Sequence, residues 1–387
     1  MRASGQNTNN RPREQETVHN PLPKMLGLVL TLPAAAGALE PETPGRVTLG
    51  QPAPGWFMIH GTQASYLFDG DTGEMQGLIS HAWYTPAIEP NVANGEFYLA
   101  ESFYSRGVRG ERTDVVTIVD LATLSPKAEV VIPTKFAALP FRHHIGLMGD
   151  RRHLAVFNMT PAQSISIVDV VDRRFVGEIS TPGCAMIMPT GERAFAMICG
   201  DGTLQLVRLD EGGKEASRSR SKSFFVVEED PVFAAPIETD SGWLLVTHDG
   251  RAFEVATDGD ELRIGRPWWL ADEDDRAEQW RPGGSQPLAF HRGVDLLYVL
   301  MHQGGVDTHA EPGTEVWVID VARKRAIARL ALDVEATNIL AGDEAKPKLY
   351  AYDVNGKLHI YDGLALSLLR TIDEPGPSPT LVLLQGL

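Results

Sequence analysis

Residues 280–320, WRPGGSQPLAFHRGVDLLYVLMHQGGVDTHAEPGTEVWVID, carry three histidines, His291, His302 and His309, around a Pro-Gly-Gly turn. Neutral imidazoles are common zinc ligands, and three that converged could leave a fourth position open for a reactive water. Such sites draw on short fixed spacings or on several His, Cys and carboxylate groups together. Here His302 and His309 are separated by QGGVDT, on a loop expected to join two strands, and His291 precedes a strand beside Arg292 and Asp295, as in a polar turn. These three read as turn and rim residues, with no metal. His143 and His144 are adjacent in PFRHHIG. On a strand they would point to opposite faces, so they too read as structural.

The remaining reactive side chains are few. The chain has no G-x-S-x-G nucleophile elbow and no C-x-x-C-H haem attachment. The glycine pairs in PGG and QGG are not followed by a helix start, which a phosphate cradle requires. The charges of RGVRGERTDVV suit ion pairs on a rim, with substrate binding as a second reading. The two cysteines, Cys184 and Cys199, flank AMIMPTGERAFAMI, two apolar runs about a Pro-Thr-Gly-Glu turn. That is a hairpin whose ends lie side by side, as a disulfide requires. An even count in an exported chain favours that bond, and a pair of free buried thiols is the alternative. A redox C-x-x-C is excluded by the spacing. By residue chemistry alone the chain is a scaffold or partner-binding protein without catalytic groups of its own.

With 43% hydrophobic and 22% charged residues in 387, the chain can bury a large core. A net charge of −16 argues against nucleic acid. Arg218, Arg220 and Lys222 in SRSRSK form the one notable basic cluster, expected in a solvated loop. At the N-terminus a polar stretch with Arg2, Arg11, Arg13 and Lys24 leads into MLGLVLTLPAAAGA and closes on Ala36-Gly37-Ala38. The apolar part is too short to span a bilayer, so residues 1–38 read as a signal peptide with an extended n-region, cleaved after Ala38. Residues 39–47 are a tail, no later segment is apolar enough to cross a membrane, and the mature protein is expected to be exported.

What must position these residues is almost entirely strand. From residue 48 onward an alternating β-branched run ends in Asp or another polar residue, turns, and begins again. The turn markers are Asp69, Asp120, Asp169, Arg208, Thr257, Asp320 and Asp362, spaced about 49 residues apart on average. A strand-rich unit of that length is a propeller blade, which buries its faces by stacking on its neighbours. The expectation is all-β: one domain over residues 48–387, a seven-bladed β-propeller of four-stranded antiparallel blades. A stack of β-sandwiches is the competing fold. The best helix candidate is ADEDDRAEQW, residues 271–280.

RGERTDVVTIVD, MICGDGTL, SRSRSKSFFVVEEDPVFAAP and the series W-x-P-G-G, LYVLMHQGGVDTH, EVWVID resemble the heavy subunit of quinoprotein amine dehydrogenases. SRSRSK before a Phe-rich strand, with DP-x-F-x-AP, is closer to the aromatic amine dehydrogenase branch than to methylamine dehydrogenase. The resemblance runs from about residue 48 to the end. It implies a periplasmic seven-bladed propeller with no cofactor, paired two-and-two with a small disulfide-rich light subunit that holds tryptophan tryptophylquinone. The assembly would convert primary amines, aromatic ones expected, to aldehyde and ammonia, passing electrons to a blue-copper protein of the azurin or amicyanin kind. It also implies a heavy-chain disulfide where Cys184 and Cys199 fall. GWFMIHGTQASYLFD matches the segment bordering the substrate channel and puts Phe57 there, an ordinary core Phe being the other reading. Two positions depart from the pattern: Ser285 replaces an aromatic after Pro-Gly-Gly, and Ala310 a lysine after Thr-His. The alternative function is a stand-alone exported propeller that binds a ligand or partner without redox activity.

Overall fold

Why an Asp ends so many strands is visible at Asp69. Its Oδ1 accepts the backbone N–H of Asp71 (2.7 Å) and of Thr72 (3.3 Å), turning the chain from the strand Ala64–Asp69 into Met75–Ser80. The same turn recurs at Asp120 with Thr123 (2.9 Å), Asp169 with Asp172 (3.0 Å), Asp320 with Arg323 (2.8 Å) and Asp362 with Ala365 (2.7 Å). A short acceptor at a strand end satisfies turn N–H groups that the ladder leaves free. Where the marker is Arg208 the job passes to Asp210, which accepts from Gly212 and Lys214.

The computed structural model describes residues 48–383, apart from 84–85, 136–138, 140, 161 and 377–379. The predicted signal peptide (1–38) and tail (39–47) lie outside the described residues. Four sheets have four antiparallel strands each. The first joins Trp56–His60, Ala64–Asp69 and Met75–Ser80 to the C-terminal strand Thr380–Leu383, so Phe57 pairs with Leu383 and the two ends of the fold share one ladder. The second holds Ala87–Asn91 through Ser125–Ile132, the third Ile145–Leu147 through Arg174–Ser180, and the fourth Cys184–Pro189 through Glu215–Arg220. The fifth, from Ile237–Thr239 to Glu261–Ile264, adds Trp268–Trp269 as an extra strand.

The expected seven separate four-stranded blades are not found. Five sheets keep the blade pattern, and the sixth is a continuous eight-stranded sheet from Trp280–Pro282 to Leu368–Ile372. The cause is the 17-residue strand Arg325–Ala341, RAIARLALDVEATNILA, whose first half pairs with Gly313–Asp320 and whose second half pairs with Lys348–Asp353. Ala336 has a partner on both sides, Gly313 and Asp353. Without a glycine or proline in the run, nothing interrupts the ladder, and the units marked by Asp320 and Asp362 fuse.

The core lies between neighbouring sheets. Met58 and Leu67 of the first meet Phe97 and Leu99 of the second. Phe157 and Ile165 of the third meet Ile187 and Phe195 of the fourth. Trp317 and Leu297 of the sixth meet Leu244 and Val246 of the fifth, while Tyr350 and Ile360 reach back to Phe57 and Phe68 of the first. Each large side chain so enclosed contributes roughly 1.5–3 kcal/mol of transfer free energy.

Two local expectations have simple outcomes. The segment proposed as a helix contains one, Glu273–Ala277, with Asp272 as N-cap accepting from the N–H of Asp275 (2.9 Å). SRSRSK is not wholly a loop: Arg218 and Arg220 belong to the edge strand Glu215–Arg220, paired with Glu215 and Asp201 (2.8 Å each).

Candidate functional site

The histidines first singled out go to three different places. His291 Nε2 lies 2.7 Å from the carbonyl oxygen of Glu344, and His302 Nε2 lies 2.9 Å from Thr308 Oγ1. His309 stacks on His248, ring centres 3.7 Å apart and 18° from parallel. Among the described residues no group of three or more His, Cys, Asp or Glu side chains is placed to hold a metal ion. His143 and His144 sit in a 3-10 turn, Arg142–His144, rather than on a strand. His143 packs edge-on against Trp243 and His144 lies over Phe157. Burial, reinforced by the nearby Arg142 charge, pulls His143 down to about 3. Burial likewise lowers His144 to about 4.

His143, His248 and His309 nonetheless share one feature: they line a cavity of about 780 Å³. Its wall is built from segments of several sheets, including residues 231–238, 284–286, 288–290, 340–341 and 380–382. Phe233, Leu288, Phe290 and Leu340 supply apolar surface. His248 is held neutral by burial, then by the neighbouring His309, at about 4. The charged groups of the wall are paired: Arg142 with Glu89 at 2.6 Å and Arg292 with Glu238 at 2.8 Å. Gln286 fastens the strands around it. Its Nε2 donates to the carbonyls of Ile339 and Leu381 (3.1 Å each), and its Oε1 accepts the N–H of Leu381 (3.0 Å). Sequence reasoning missed this cavity, because its residues come from segments far apart in the chain. Ser285 and Ala310, the two departures from the family pattern, both line it.

The family model for the methylamine dehydrogenase heavy chain matches residues 46–385. The chain belongs to that family. Among its relatives is the methylamine dehydrogenase heavy chain of Methylophilus methylotrophus, 30% identical over 337 residues, covering 85% of this chain and 81% of that one. That of Methylobacillus flagellatus is 28% identical over 371 residues, covering 94% and 91%. Two solved structures are similar in fold alone. The β-propeller domain of Swd1 from Myceliophteria thermophila aligns with a TM-score of 0.53 at 11% identity, covering 80% of this chain and 93% of that one. Dihydro-heme d1 dehydrogenase NirN aligns at 0.51 and 15% identity, covering 88% and 77%.

In this heavy chain Cys184 and Cys199 form the disulfide, directly opposite each other across the hairpin with Cα atoms 3.9 Å apart. The Arg220 guanidinium lies 3.3 Å from Cys184 Sγ. Phe57 is fully buried, stacked on Phe68 at 5.5 Å and tilted against Tyr350 at 4.6 Å, and is not part of the cavity wall. A quinone made from tryptophan needs an indole that an amine can reach. Trp317 is fully enclosed, its Nε1 donating to Glu315 (2.7 Å) and the Arg329 guanidinium lying over its ring at 3.7 Å. Trp269 is more open but carries the Arg276 guanidinium at 4.6 Å. Trp83 is exposed, with no aromatic ring packed on it among the described residues. Trp56, Trp243 and Trp268 are buried, and Trp280 packs on the enclosed Trp317 with ring centres 5.5 Å apart.

Proposed function

We propose that this heavy subunit works in the periplasm, paired two-and-two with a light subunit that carries tryptophan tryptophylquinone. The assembly deaminates aromatic or aralkyl primary amines to aldehyde and ammonia and passes electrons to an azurin- or amicyanin-like copper protein. The observation that carries the reading is the family match, which spans the fold from before its first strand to its last. The quinone supplies the redox chemistry when the light subunit is bound. This chain contributes a rigid surface whose paired charges and closed sheets hold the partner in place and keep water out. The aromatic preference is supported by SRSRSK ahead of a Phe-rich run and by DPVFAAP, residues 230–236, which resemble the aromatic amine dehydrogenase branch. An obligate interface of this kind should bury on the order of 2,000 Å² or more.

Co-expression with a small cysteine-rich light-subunit candidate tests this. The expected result is a co-purifying complex with quinone absorbance that reduces a copper-protein acceptor with 2-phenylethylamine at a kcat/KM at least about tenfold above that with methylamine, a difference of about 1.4 kcal/mol. A preference for methylamine would remove the aromatic assignment. A chain that captures no partner and stays alone in solution would favour the stand-alone propeller.

A further inference from the structure

We infer that the cavity between the inner strands is a binding site for one small, uncharged aromatic molecule. The volume, about 780 Å³, lies in the range that encloses a small organic ligand. Flat rings already organise one end: Phe233 packs on His248 at 4.6 Å, and His248 on His309 at 3.7 Å. A further ring can continue such a stack or meet its edge. Leu288, Phe290 and Leu340 offer apolar wall beyond it.

The charge pattern selects the ligand. An ammonium entering this space must lose its water, which is costly unless a carboxylate takes its place. Three carboxylates near the wall are already held, Glu89 by Arg142, Glu238 by Arg292 and Asp230 by Arg251, and Asp307, which faces His248, is exposed to solvent. His143 and His248 carry no charge near neutral pH. An anion fares no better, because these guanidiniums are committed to those same carboxylates. A neutral aromatic molecule pays neither penalty. Aromatic aldehydes have this chemistry and their parent ammonium ions lack it, so product would be held here and substrate turned away; that last link rests on the amine dehydrogenase reading, whereas the selectivity for neutral ligands does not.

Calorimetric titration of the purified full chain at pH 7, alone and in its light-subunit complex, tests this without any turnover. The probes are 2-phenylethanol and 2-phenylethylammonium, which share a ring and a two-carbon arm and differ in charge. One alcohol should bind per chain, with the ammonium at least tenfold weaker. Ser285→Trp and Ala310→Trp, at exposed positions on the wall, should each weaken the alcohol tenfold or more while leaving the melting midpoint unchanged. Equal or tighter binding of the ammonium, absence of saturable alcohol binding, or binding that both folded variants leave intact would overturn the assignment. Loss of amine oxidation with alcohol binding preserved would count against the enzyme reading and not against the site.

Discussion

Four of the described histidines are held against taking up a proton. His60 and His143 are held at about 3, and His144 and His248 at about 4, burial being the largest cause in each case. The unfolded chain takes up protons at these sites near pH 6.5 and the folded chain does not. Their contribution to stability is therefore complete above about pH 6.5 and is lost as pH falls toward 3–4. Within that window each of His60, His143 and His144 should cost up to about 1.4 kcal/mol per pH unit, and the half-buried His248 less, because solvent screens it. Urea unfolding midpoints measured from pH 7 to 4.5 should fall steeply, and His143→Gln should make the fall shallower by about one proton's worth. A flat profile would show that these rings are not buried as described. Phe57 makes a second test at this scale. Its ring fills space between Phe68 and Tyr350, so Phe57→Ala should cost about 3–5 kcal/mol through the cavity it leaves. Denaturant melts read that loss, and a cost under about 1 kcal/mol would contradict the packing. In the assembled enzyme, the ratio of kcat/KM between aralkyl and aliphatic amines reads the channel role separately.

At the level of the hairpin, Cys184→Ser opens a loop whose ends are 15 residues apart in sequence. The chain-entropy argument gives a loss of about 3 kcal/mol. A lower melting midpoint with the partner still bound is expected, and an unchanged midpoint under non-reducing conditions would show that the bond does not stabilise this sheet. The hairpin was legible because its two apolar runs, its turn and its cysteines all say the same thing locally. The Asp-terminated strands were legible for the same reason, as was the helix at Glu273–Ala277 with its Asp272 cap. The fusion at Arg325–Ala341 was not. A strand that serves two partners has the same alternation as one that serves a single partner, and the only clue was the absence of glycine or proline across seventeen positions. The cavity was hidden for a different reason. His248, Gln286, His309 and Leu381 come together through the order of whole sheets, which no local pattern encodes.

For the molecule as a whole, the decisive contact is the ladder between Trp56–His60 and Thr380–Leu383. It covers the edge of Trp56–His60, which would otherwise present unpaired backbone groups to other chains. Truncation after Gly376 deletes the last strand and exposes that edge. The expected outcome is self-association and a lowered melting midpoint, read by light scattering and thermal unfolding. A truncated chain that stays monomeric and melts like the parent would show that the seal is dispensable. Pairing between segments separated by almost the entire polypeptide also carries a heavy loop-closure cost before it returns any stabilisation. During synthesis the earliest strand must therefore wait, half-satisfied, until the ribosome has delivered nearly everything else. Any pause late in translation lengthens that vulnerable interval, and a chaperone guarding the nascent chain would have its most valuable task at the strand that was made first.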